Sequence, residues 1–345
     1  MKIKDYIIDV NSECFVIAEI GHNHQGSVDV AKSLMKEAAA CGVNAVKLQK
    51  RDVKNLYIKS MYAKPYDNEN SFGSTYGEHR EFLEFGLDEY IELKKYAEAL
   101  GLIFFATAFD FQSLDFLERL GVPLHKIASA DIRTIPLIEE IAKTKKPVIF
   151  STGSSTLDDV RRAYETIRKH NDQVCVMQCT TAYPAEYDEL DLNVVATYKK
   201  EFPEAIIGYS GHDTGILAPI IAYLLGARII EKHFTLNRTM KGTDHKFSLE
   251  PAGMRKVIRD LRRVNASLGS PVKRIFDTEK DPMMKMAKSI VTRRSLGRNS
   301  VIKADDILFK SPGGGIPPFK AGEIIGRKTI KDLPEDYVLS LEDLE

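Results

Sequence analysis

Apolar positions along the chain follow two rhythms that take turns. Runs such as "CFVIAEIG" (14–21) and "NAVKLQ" (44–49) are nearly continuous, as expected of strands covered on both faces. Between them, in "VDVAKSLMKEAAACG" (28–42), Val30, Leu34, Ala38 and Cys41 are spaced to share one face of a helix, and Gly42 is placed to end it. The alternation predicts further strands at 102–108, 125–130, 147–153, 173–180, 205–210 and 228–234. The matching helices fall at 87–101, 112–121, 136–144, 157–170, 193–202, 215–226 and 252–269, with a long polar segment between the second strand and the second helix. Eight strand–helix units in roughly 250 residues predict an α/β fold of the (β/α)8, or TIM-barrel, kind. A doubly wound open sheet is the rival, but it calls for a GxGxxG turn after the first strand, and "GHNHQG" stands there instead.

The rhythm changes near residue 270. The pattern predicts a barrel domain over 1–270, a linker over 271–284 ("PVKRIFDTEKDPMM"), and a small, mostly-β domain over 285–345. The last of these has short alternating runs and the turn-rich "SPGGGIPPFKAGE" (311–323).

In such a barrel, chemistry sits at the C-terminal ends of the strands. The first strand ends at Glu19 and "GHNHQG"; the second carries Lys47 and Gln49; the third ends at Thr107. The fourth holds Lys126 and Ser129, with Asp131 beyond, and the fifth ends in Ser151, Thr152 and Gly153. Thr180, Thr181 and Tyr183 follow the sixth, "SGHDTG" the seventh, and Glu231, Lys232 and His233 close the eighth. Taken singly each has an ordinary explanation: a hydrogen-bonded histidine, a salt-bridged lysine, a helix cap in "STGSSTLDD". Their convergence on one barrel face is the informative fact, because burying several charges without purpose costs several kcal/mol each.

His212 and His233 follow successive strands. Two neutral imidazoles suit a divalent transition metal and leave positions open for water and substrate; two structural histidines are the alternative. Glu19 fits an acid/base role, or an ion pair with Lys47. Lys47 and Lys126 with Ser129, Ser151, Thr152 and Gly153 fit an anion site near a helix N-terminus.

Composition narrows the class. Lys plus Arg and Asp plus Glu both number 49, so the net charge is zero and a general nucleic-acid or membrane-surface binder is not expected. The most apolar stretch, "ILAPIIAYLLGA" (216–227), is too short to span a bilayer. Four cysteines without a CxxC read as free thiols, and with the unremarkable N-terminus they predict a cytoplasmic protein.

The ordered set "AEIGHNHQG", "VKLQK", "HKIASAD", "FSTGSS", "QCTTAYP", "IGYSGHDTG", "EKHFTLNRTMKGTDHKFSLEP" and "KSPGGG" resembles the N-acylneuraminate (sialic acid) synthase family over nearly the whole chain. "STYGEHREFLEF" (74–85) is similar to the segment in members related to the animal enzyme. The resemblance implies a TIM barrel followed by a small antifreeze-like (SAF) domain, in a homodimer whose small domains are swapped. It implies metal-dependent condensation of phosphoenolpyruvate with the open-chain aldehyde of an N-acylmannosamine, its 6-phosphate or a related hexose. The products are a nine-carbon 2-keto acid and phosphate.

By matching motif, His212 and His233 would bind the metal, Mn²⁺ ahead of Mg²⁺ or Co²⁺. Glu19, Asp131 and Tyr183 would be the catalytic set. Lys47, Thr107, Lys126, Ser129, Ser151 and Gly153 would grip phosphoenolpyruvate, and Thr181 and Asp244 would meet the sugar. Two positions depart from many bacterial members: Ser311 stands where an "RPG" arginine reaches the acyl group, and Thr181 where asparagine is common. Two other readings are a Schiff-base pyruvate aldolase using Lys126 or Lys232, and a non-catalytic carbohydrate-binding protein that kept the fold.

Overall fold

The computed structural model describes residues 1–345, which form two compact units, Met1–Gly269 and Ser270–Glu345. Within the first, eight parallel strands close into a barrel: β1 (Phe15–Gly21), β2 (Ala45–Lys50), β3 (Ile103–Ala108), β4 (His125–Ile127), β5 (Val148–Ser151), β6 (Val174–Cys179), β7 (Ile206–Gly211) and β8 (Ile229–His233). β8 pairs back onto β1, which excludes the open sheet. A short antiparallel ladder, Lys2–Ile3 with Tyr6–Ile7, precedes the barrel.

The helices form as their sequences dictate. Ser27 caps Val28–Cys41 by accepting the Val30 N–H, and Gly42, at φ 88°, ends it in the left-handed region that lacks a Cβ penalty. The buried face is Ala31, Leu34, Met35, Ala38 and Cys41, so the helix is rotated slightly from the face expected, and Val30 lies at its margin. β4 is shorter than its apolar run: after Ile127 the chain turns through a 3-10 helix, Ser129–Asp131. That turn lets the Ser129 Oγ accept the Gly153 N–H at 2.9 Å.

The polar segment after β2 is not featureless. It holds short helices at Val53–Leu56, Lys59–Tyr62 and Tyr76–Phe82. Thr75 and Glu78 make a reciprocal capping box at the start of the last, a Thr-x-x-Glu signal that was present in the sequence.

Register sets the polar geometry. His233 is opposite Glu19, and Glu19 is opposite Lys47, so three adjacent strands present one row. Gln49, Thr107 and Lys126 form a second row across β2, β3 and β4. The β1–β2 register slips between Glu19 and Gly21, a bulge of the kind that re-aims side chains near active sites. Below these rows the barrel is filled by residues such as Ile17, Phe105, Ile149 and Ile229, all inaccessible to solvent.

The second unit, described by itself, pairs Ser289–Thr292 antiparallel with Ile307–Lys310 and adds isolated bridges such as Leu296 with Leu333. Its own core includes Ile290, Ile302, Ile316, Ile324 and Leu339. Within the stretch expected as linker, a helix begins at Lys280 and runs to Met286. No helix of the chain is long and apolar enough to cross a membrane.

Candidate active site

The C-terminal ends of the barrel strands open onto a cavity of about 500 Å³. Glu19, Lys47, Thr107, Lys126, Ser129, Ser151, Thr181, Tyr183, His212, His233 and Asp244 all line it. Eleven of the thirteen residues given a role by the family motifs are thus brought together, while Thr152 lies outside the lining. Gly153 and Asp131 are not in the lining. Gly153 works one layer behind: a Cβ there would fall 1.9 Å from Thr181 Oγ1, so only glycine lets the β5 and β6 loops approach this closely. Asp131 accepts a long hydrogen bond from the Thr134 hydroxyl at 3.4 Å, and burial pushes its carboxyl up to about 6.

One wall is a compensated charge network. Lys47 Nζ lies 2.9 Å from Glu19 and 3.5 Å from Glu231, and donates to Thr107 Oγ1 at 2.8 Å. Gln49 Nε2 donates to the other Glu19 oxygen at 2.7 Å. Burial dominates at Glu19 and, despite Lys47, pushes it up to about 7, with Glu231 adding repulsion. Burial also opposes the Glu231 charge, but Lys126 and Lys47 together hold that group below the usual carboxylate range. The pair therefore divides its labour: Glu231 stays anionic, and Glu19 can carry or release a proton near neutral pH. Lys126 donates to Ser151 Oγ at 2.6 Å, and burial lowers its pKa against the pull of Glu231.

Lys232 settles differently. Strand alternation turns it away from the cavity, where it is fully buried and paired with Asp213 at 2.8 Å. Of the two lysines considered for a Schiff base, it cannot meet a substrate in this cavity.

The two histidines stand with ring centroids 5.4 Å apart. His212 Nδ1 is 2.7 Å from the Thr180 carbonyl. A carbonyl only accepts, so in the neutral ring Nδ1 carries the proton and Nε2 keeps a free lone pair. His233 Nδ1 is buried without a hydrogen-bond partner, 3.8 Å from Asp244 Oδ2, and burial holds the ring neutral. No group of three His, Cys, Asp or Glu forms a ready-made metal cage. This donor set fits an ion held by two imidazoles with its other positions left to water and substrate.

The cavity also holds residues given no role from the sequence: His22, Arg51, Asn70, Arg80, Cys179, Ser210 and Glu231 among them. Glu231 stood in plain view at a strand end, one register step from Lys232. His22 lay in "GHNHQG", whereas Arg51, Asn70 and Arg80 come from the polar segment, where no periodicity aims a side chain.

A closed parallel barrel whose strand ends converge on buried acids, lysines and histidines defines a TIM-barrel enzyme. The chain belongs to the NeuB family, whose model matches residues 34–273; residues 287–345 match the SAF domain. The N-acetylneuraminate-9-phosphate synthase of Homo sapiens is 38% identical over 330 residues, covering 95% of this chain and 92% of that one. The N,N'-diacetyllegionaminic acid synthase of Legionella pneumophila is 35% identical over 338 residues, covering 96% and 95%. Among solved structures, the N-acetylneuraminic acid (sialic acid) synthetase from Leptospira borgpetersenii, in complex with citrate, superposes with a TM-score of 0.71 at 31% identity, covering 82% and 94%. The chain is thus related throughout to sugar-acid synthases.

Proposed function

We propose that this chain condenses phosphoenolpyruvate with the aldehyde of an N-acylmannosamine-type sugar, giving a nine-carbon 2-keto acid and phosphate. The observation that carries the reading is the row His233–Glu19–Lys47 fixed by strand register beside a second cationic position, Lys126. Lys47 and Lys126, with Thr107, Ser129 and Ser151, supply the charge and donors that a small dianion needs. Tyr183, Thr181 and Asp244 line the same cavity and offer the sugar an aromatic face and polar partners.

The electron pair of the phosphoenolpyruvate C2–C3 double bond forms the new carbon–carbon bond at the aldehyde carbon. Protonated Glu19 delivers its proton to the aldehyde oxygen as charge develops there. The anionic wall of Glu231 faces the positive charge left at C2. Water adds at C2, Glu19 takes back a proton, and the tetrahedral adduct expels phosphate with C–O cleavage. A divalent ion bound by His212 and His233, Mn²⁺ being the leading choice, would polarise the aldehyde.

Lys126, with its depressed basicity, keeps the Schiff-base reading testable. Borohydride with pyruvate would trap an adduct if that reading held. The primary test is phosphate release from phosphoenolpyruvate across a panel of aldoses, with the products weighed. The expected product mass equals both substrates plus water minus phosphoric acid, and release without a sugar-dependent product would overturn the proposal. The reading extends to a homodimer, which light scattering would register as twice the chain mass.

A further inference from the structure

The two cavity histidines differ in how they are held. His212 is anchored by its Nδ1 on the Thr180 carbonyl at 2.7 Å. His233 makes no side-chain hydrogen bond: its Nδ1 is buried without a partner, and its Nε2 is the nitrogen left open to the cavity that the ring lines. Phe247, itself buried, packs edge-on against both rings, with centroids 4.8 Å from His233 and 5.7 Å from His212. That packing fixes the plane of the His233 ring. It does not choose between the two flips of the ring, because the nitrogen and carbon edges of an imidazole have nearly the same shape. Nor does it satisfy Nδ1, and a buried polar atom left unpaired costs about 1–3 kcal/mol.

One group stands where the partner is missing. Asp244 Oδ2 is 3.8 Å from His233 Nδ1, while Asp244 Oδ1 accepts from the Thr243 hydroxyl at 3.0 Å. The backbone that carries Asp244 is tied down. Ser248 Oγ donates to the Asp244 carbonyl at 2.6 Å and accepts from Asn23 Nδ2 at 2.9 Å, and the Leu249 N–H donates to the His233 carbonyl at 2.8 Å. Across from the carboxylate is Gly21, at φ 52°, where a Cβ would stand 3.4 Å from Asp244 Oδ2; glycine keeps that space clear. The distance from Oδ2 to Nδ1 exceeds a normal N–H···O contact by roughly 0.6–1.1 Å. Rotation of the Asp244 side chain covers that gap without moving the loop.

We propose that Asp244 is a positioning residue for His233: its carboxylate accepts the Nδ1–H and so turns the Nε2 lone pair into the cavity. The two imidazoles then match, each with its Nδ1 proton on an oxygen behind it and its Nε2 facing forward. This rests on the metal-binding part of the reading above, and it gives Asp244 a task apart from any contact with the sugar. An acceptor on the far nitrogen orients a metal-binding imidazole and raises its basicity, and losing it typically costs 10–100-fold in metal affinity.

The test needs neither sugar nor turnover. Histidine-selective ¹⁵N NMR of the metal-free protein reads which nitrogen of each ring carries the proton. His233 is expected in the Nδ1–H form in the unaltered protein. Asp244→Ala should shift it toward the Nε2–H form, and Asp244→Asn, which keeps an acceptor oxygen, should restore most of the Nδ1–H form; His212 should not change in either. Calorimetric titration with Mn²⁺ alone should show binding weakened by about 10–100-fold in Asp244→Ala and by less in Asp244→Asn. A His233 ring already in the Nε2–H form in the unaltered protein would overturn the proposal. So would Mn²⁺ affinity that Asp244→Ala leaves unchanged. Should the Ala variant fail to fold, the unaltered protein and Asp244→Asn still decide the tautomer. If the unaltered protein binds no Mn²⁺, the metal reading falls, and the NMR measurement still answers for the contact between Asp244 and His233.

Discussion

Two regions of one cavity handle buried charge in opposite ways. Along β8, β1 and β2, Lys47 has two carboxylates beside it, and every cation has an acid in reach. Around His22, the guanidiniums of Arg51 and Arg80 face a neutral ring, and Glu84, 3.9 Å from Arg51, is the one carboxylate within 4 Å of either. The first arrangement sets opposite charges side by side, so its groups are poised for proton transfer and electrostatic stabilisation. The second leaves its cations less fully compensated.

The comparison can be broken at its strongest point first. If His212 and His233 hold a divalent ion as proposed, a chelator is expected to abolish phosphate release, and His233→Ala should not recover when metal is added; full turnover in excess chelator would remove the two imidazoles from the account. Lys47→Met should come next. It orphans Glu19 and Glu231, so thermal unfolding should report a loss of about 3–5 kcal/mol, together with loss of turnover. Glu19→Gln keeps the shape and removes the proton, and should lower kcat by roughly 10²–10⁴-fold. Around His22 the sign reverses: two arginine donors meet a neutral ring that accepts at one nitrogen only, so Arg80→Met should leave the protein as stable as before, or more stable by up to about 1 kcal/mol. A loss as large as that of Lys47→Met would mean that the two regions do not differ.

Acid should expose a further contrast. Burial depresses His24 to about 3 and His79 to about 4, and lowers His22 and His245 as well. The unfolded chain protonates these rings below about 6.5 while the folded one does not. Their stabilisation is therefore complete above that pH and is lost as pH falls toward the folded values. Glu19, held up to about 7, and Asp131, up to about 6, act in the other direction: the folded state takes their protons first, so they gain stability as pH falls. The depressed histidines outnumber the raised carboxyls, so stability should fall as pH drops through this range. A flat melting profile between pH 6.5 and 4.5 would contradict these burial assignments.

How much of this was legible in the sequence depended on periodicity. The barrel strands announce themselves because burial on both faces leaves continuous apolar runs. A polar residue at such a run's end is conspicuous, which is why Glu19, Lys47, Lys126, His212 and His233 could be named in advance. Lys232 and Glu231 were equally visible, yet only pairing register separates the residue that faces the cavity from the one that faces Asp213. Arg51 and Arg80 were hidden for another reason. They sit in a segment of short helices, where capping signals such as Thr75–Glu78 mark where a helix starts but not where its side chains converge. Gly153 was singled out for the anion site; the close approach of Thr181 that it permits is a long-range packing fact with no signal in the sequence.

The central claim is that the acid–lysine–histidine row joins phosphoenolpyruvate to an aldehyde with water entering at C2. The most direct measurement uses phosphoenolpyruvate labelled with ¹⁸O in its bridging C2–O position, with the released phosphate analysed by mass spectrometry. Carbon–oxygen cleavage sends the label into phosphate, which is the predicted result. Unlabelled phosphate would mean that the phosphorus–oxygen bond breaks instead, and would contradict the proposed role of Glu19 and its neighbours.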